Sequence, residues 1–150
     1  MDPALAALVG AIIGAAVAGV VPYLTARNQR IEQLRANQRV AVAELDEALI
    51  EHIRGRFSGR GNAETRTVVV FAAHRLAMVA PAKDHELDKM VQYALEHIDS
   101  TPNRLVGLCA VNAVSTVLIK WYRREVSGRG IGDAYLLELD HELGKYSREG

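Results

Sequence analysis

The sequence predicts an all-α protein with a single N-terminal transmembrane helix, a polar stalk and a four- to five-helix cytoplasmic bundle. Three observations predict it. Residues 4–24 form an uncharged run, which as a helix would reach roughly 31 Å, about the thickness of a bilayer's hydrocarbon core. The remainder repeats apolar residues at helical spacing, and it has no sustained period-two alternation bounded by hairpin turns. A short sequence, Ser58-Gly59-Arg60-Gly61, recurs as Ser127-Gly128-Arg129-Gly130 after each of two amphipathic stretches. These observations divide the chain into an anchor over 1–26, a juxtamembrane stalk over 27–39 and a helical domain over 40–150.

Within the anchor, large apolar residues and small ones both step by three and four, so a helix there carries a bulky face and a smooth one. Ala7, Gly10, Ala11, Gly14, Ala15, Ala18 and Gly19 form the smooth face. Small side chains let two helix backbones approach closely, which in lipid is a main source of helix association. This face is therefore expected to pack against a second copy or another membrane helix. Pro22 falls near the end of the span, where a missing backbone bond costs least. A cleaved signal peptide is the competing reading, because Ala16-Val17-Ala18 resembles a cleavage site. The preceding Met1-Asp2-Pro3 lacks the Lys or Arg that such signals carry.

Charge orients the span. Asp2 precedes it, while Arg27, Arg30, Arg35 and Arg39 follow with only Glu32 opposing them. The positive-inside rule then predicts a single-pass protein of the cell membrane, N-terminus outside and C-terminal domain in the cytoplasm. The four arginines are also expected to contact anionic lipid head groups.

The helical domain divides at its breakers. The first helix is expected from about Arg27 to Phe57, polar to Arg39 and then amphipathic through Val42, Leu45, Leu49, Ile50 and Ile53. A second spans about Ala63 to Val79 and stops before Pro81. The third starts at Asp84 as N-cap and runs to Ile98. The fourth opens on Thr101 as N-cap with Pro102 in its first turn and reaches Val126. The last covers about Asp133 to Tyr146. Residues 105–119 are uncharged, but the stretch is short and has Asn112, Ser115 and Thr116 at its centre, favouring a buried bundle helix over a second span.

Aligning the two Ser-Gly-Arg-Gly turns gives nine identities between residues 41–61 and 110–130. That match suggests two duplicated helical hairpins, with chance similarity in a Gly- and Arg-rich chain as the alternative.

The chain has 18 Lys and Arg against 18 Asp and Glu, and this neutrality argues against non-specific nucleic-acid binding. Cys109 is the lone cysteine in an apolar run and reads as a core residue in a reducing compartment. Gly128-Arg129-Gly130-Ile131-Gly132 invites a phosphate-loop reading, yet a helix rather than a strand precedes it, so helix-ending caps explain it better. Glu138 and His141 have the spacing of helical di-iron sites, but no second Glu-x-x-His exists. No cofactor is expected, and no metal-ligating, catalytic or small-molecule set stands out. Trp121-Tyr122-Arg123-Arg124 reads as the core-to-surface boundary of a helix.

The expectation is a non-enzymatic, membrane-anchored interaction or scaffold protein that oligomerises through its transmembrane helix. Its partners would be lipid and a second copy or another membrane helix. A pore-forming protein built from the Ala/Gly-rich span is the alternative, followed by a membrane-tethered hydrolase or metal enzyme.

Overall fold

The computed structural model describes the backbone of residues 3–59 and 62–149, and side chains from residue 18 onward except 60, 61 and 148–150. Among the described residues there are five α-helices, one 3-10 turn and no strand. The helices are α1 (Pro3–Phe57), α2 (Asn62–Val79), α3 (Glu86–Ser100), α4 (Arg104–Tyr122) and α5 (Gly130–Glu149), with the turn at Ala82–Asp84. The chain divides into two units between Ala36 and Asn37.

The first unit is helical from Pro3, and its described side chains, from Ala18 onward, are all exposed. Helical backbone continues through Pro22. The hydroxyl of Thr25 donates to the Val21 carbonyl at 2.9 Å, a local bond within the turn.

The second unit is a helical bundle. Its core draws Ala41, Leu45, Leu49 and Ile53 from α1 and Val69, Ala73 and Leu76 from α2. These repeat at three and four residues, which places one stripe of each helix inward. In α3 the same spacing buries Leu87, Met90, Val91, Ala94, Leu95 and Ile98. α4 is apolar on most sides and lies at the centre, with Ala110, Val114, Val117 and Leu118 fully buried. α5 contributes Ile131, Tyr135 and Leu139. Gly107 marks the close approach of α4 to α1, because an added Cβ there would lie 3.0 Å from Ile53 Cδ1. The strand-like run Val68 to Phe71 is part of α2.

α4 is the helix among the described residues that is long and apolar enough to cross a membrane, with a mean hydropathy of 1.5. Half of that stretch is buried against the other helices. Its apolarity thus serves a core in which it is surrounded.

Three sequence expectations are corrected. Asp84 is not the N-cap of α3. It ends the 3-10 turn and is buried, and its side chain is held by distant donors rather than by α3 amides. Thr101 does not cap α4 either: Asn103 does, its side-chain oxygen accepting from the Leu105 amide at 2.9 Å, while the Thr101 hydroxyl accepts from the Asn103 amide at 3.2 Å. α4 also ends at Tyr122 rather than Val126. Arg124 takes a left-handed φ of 64°, and the Glu125 amide reaches back to the Lys120 carbonyl at 2.8 Å. That bond is the closing contact of a Schellman ending, made here without glycine.

The stop has a bearing on the internal repeat. Gly59 and Gly128 share positive φ, 74° and 58°. However, α1 reaches Phe57, directly before its Ser-Gly, whereas α4 stops at Tyr122, well before Ser127. The likeness therefore extends to the glycine turn and not to the helix end; Arg60 and Gly61 lie outside the described residues.

Cys109 is 1% exposed, and burial pushes its thiol above the usual range, with the nearby Glu142 adding to the effect. The thiolate is the nucleophile, so a buried, neutral thiol reacts slowly. Alkylation by iodoacetamide at neutral pH is expected to be negligible in the folded chain and complete in denaturant, as read by intact mass.

Candidate functional site

The predicted packing face falls in the first unit. The side chains of Ala7, Gly10, Ala11, Gly14 and Ala15 lie outside the described residues, whereas Ala18 and Gly19 are exposed. A Cβ built at Gly19 meets nothing within 4 Å. Immediately after them Val20, Val21, Tyr23 and Leu24 stand exposed, Tyr23 at 67%. The Arg27, Arg30 and Arg35 side chains are exposed as well. Arg39 is exposed too and has a further contact. It belongs to the bundle, where its Nε donates to the Tyr122 hydroxyl at 2.6 Å and its guanidinium lies 5.6 Å from the centre of that ring. A planar cation over an aromatic face gains a cation–π contact.

Two polar clusters, both absent from the sequence reading, hold the bundle together. The first is centred on His52, which is fully buried on α1. Its Nδ1 lies 2.9 Å from the Thr65 hydroxyl on α2, and its Nε2 lies 3.0 Å from the Asp99 carboxylate on α3. Arg66 adds an ion pair to the other oxygen of Asp99 at 3.2 Å. A histidine with both ring nitrogens engaged satisfies its own polarity and links three helices at one point. The Thr-His-Asp order has the outline of a nucleophile relay. However, the Thr65 hydroxyl also contacts the Asn62 carbonyl at 3.2 Å, and the imidazole has no exposed face for a substrate. The cluster joins α1, α2 and α3.

The second cluster is centred on Asp84. One carboxylate oxygen accepts from the Trp121 indole N–H at 2.8 Å and the other from the Gly128 amide at 2.7 Å. Residue 84 thereby fastens the end of α4 and the α4–α5 loop. α5 is held further by Lys120–Glu138 across the two helices and by Glu142, which accepts from Asn112 at 3.4 Å. Its neighbour Lys145 holds the Glu142 carboxyl below the usual carboxylate range.

A concave surface with apolar and charged walls runs between α1 and α2 and has a volume of about 380 Å³. Glu44, Glu47 and Glu51 line its α1 side, while Val68, Phe71 and Arg75 line its α2 side. The spacing of the glutamates, three and then four residues, puts all three on one face of α1. α2 is thus apolar on two sides: Val69, Ala73 and Leu76 point inward, and Val68 and Phe71 face the groove. Among the described residues no group of three or more His, Cys, Asp or Glu is placed to hold a metal ion. Glu138 and His141 therefore have no set of partners there.

No protein-family model matches the chain, and neither the search of curated proteins nor that of solved structures finds a match.

Proposed function

We propose that this chain is a membrane-anchored, non-enzymatic interaction module. The observation that carries the reading is the exposure of Val20, Val21, Tyr23 and Leu24 at the end of the uncharged run 4–24. Four consecutive large apolar positions interrupted only by Pro22 need a cover, and lipid supplies one without a partner protein. The arginines that follow place the bundle on the cytoplasmic side, with Arg27, Arg30 and Arg35 at the head groups. The Gly10 and Gly14 row brings copies together in the bilayer. The bundle then serves as the part that meets other molecules, with His52 and Asp84 engaged in bonds within it.

Extraction of membranes with alkaline carbonate is expected to leave the full chain in the pellet; release into the supernatant overturns the anchor. In detergent, Gly10→Ile with Gly14→Ile is expected to shift the oligomer toward monomer in sedimentation analysis, because two bulky side chains hold the backbones apart. An unchanged oligomer removes the packing face. Vesicles containing the chain stay sealed to dye on this reading, and leakage would favour a pore.

A further inference from the structure

Resting on the interaction-module reading, we infer that the α1–α2 groove is the docking site for a basic amphipathic helix of a cytoplasmic or membrane partner. Its apolar wall is unusual for a surface. Phe71, one of two phenylalanines in the chain, is 65% exposed, and Val68 is 52% exposed. Met78, two turns beyond Phe71 on the same helix, is 78% exposed and extends the stripe. Large apolar side chains gathered in a concave surface mark a binding site rather than scattered exposure.

Charge decides the occupant. Glu44 is paired with Arg75 at 3.0 Å and Glu51 with Arg54. Glu47, between them, has no ion pair among the described residues. Arg75 lines the groove too and neutralises Glu44, so the uncompensated charge beside the aromatic wall is the Glu47 carboxylate. A helix with apolar residues at three- and four-residue spacing, flanked by Lys or Arg, meets both walls at once. Anionic membrane would be repelled by the same carboxylate. The identical groove of a second copy would set like charges against like.

The test uses the full chain in discs of zwitterionic phosphatidylcholine. The probe is a 14-residue amphipathic peptide of leucine and lysine carrying a central photo-reactive group; its leucine–glutamate twin is the control. Crosslinks are expected within residues 44–51 and 68–78. The glutamate twin is expected to give about ten-fold less. Glu47→Lys with Glu51→Lys, and separately Phe71→Ser, should each lower the yield by about ten-fold. All three positions are exposed, and unchanged helical circular dichroism verifies the fold. Equal labelling by both peptides, or labelling outside these segments, overturns the proposal. Crosslinks into lipid alone identify a membrane-facing surface and overturn it. Chain-to-chain crosslinks from benzoylphenylalanine in place of Phe71 identify a second copy and overturn it too. None of these results alters the carbonate or Gly10/Gly14 outcomes, so failure of the groove is distinguishable from failure of the anchor.

Discussion

Replacing Asp84 with alanine is expected to destabilise the bundle by about 2–4 kcal/mol. The change strands two buried donors, the Trp121 indole and the Gly128 amide. Each unsatisfied donor costs about 1–3 kcal/mol, and removal of the buried carboxylate's own desolvation cost offsets part of the sum. Asp84→Asn should be intermediate, about 1–2 kcal/mol, since one oxygen remains while the amide nitrogen faces a donor. Trp121 is the only tryptophan, so urea denaturation followed by its fluorescence reads the site directly. An Asp84→Ala midpoint equal to the native one would show that neither donor depends on this residue. Against a typical total stability of about 5–15 kcal/mol, the expected loss is large enough to shorten the life of the folded chain in a cell.

The second large effect is expected at His52. His52→Ala removes a fully buried ring and leaves Thr65 and Asp99 without their shared partner. Cavity and lost bonds together should cost about 3–4 kcal/mol. His52→Leu separates the two contributions. Leucine refills most of the volume, Asp99 keeps Arg66 and Thr65 keeps the Asn62 carbonyl. It should therefore cost only about 1–2 kcal/mol. Urea midpoints for both variants, compared at equal slope, give the difference. If leucine proved as damaging as alanine, the hydrogen bonds rather than the packing would carry the cluster.

The bundle was legible wherever its cause was local. The apolar steps of Leu87, Met90, Val91, Ala94, Leu95 and Ile98 announce α3, and they are the residues α3 buries. Asp84 shows where local reasoning stops. An aspartate just ahead of a helix is a good cap by its neighbours alone, yet its oxygens are taken by residues 37 and 44 positions away. Nothing within a few residues of Asp84 announces that. The same holds for His52, whose partner Asp99 is 47 residues on. The early end of α4 had no signal either, because Arg124 adopts the left-handed turn that glycine usually supplies. The groove needed two helices to be set side by side before the glutamates of one could face the phenylalanine of the other. Only half of it, the three- and four-residue spacing of Glu44, Glu47 and Glu51, is written in one segment.

The place of α1 in the core has a consequence for how the protein is made. Its inward stripe of Leu45, Leu49 and Ile53 shares the core with α4, where Ile53 meets Gly107, and the bond from the Ser115 hydroxyl to Asp46 spans 69 residues. A ribosome adding about 5–20 residues per second needs roughly 3–14 s to supply that distance. For that interval the stripe has emerged, already helical in its sequence preference, with no α4 to cover it. The nascent chain thus holds that stripe for seconds at every round of synthesis without the helix that completes its cover.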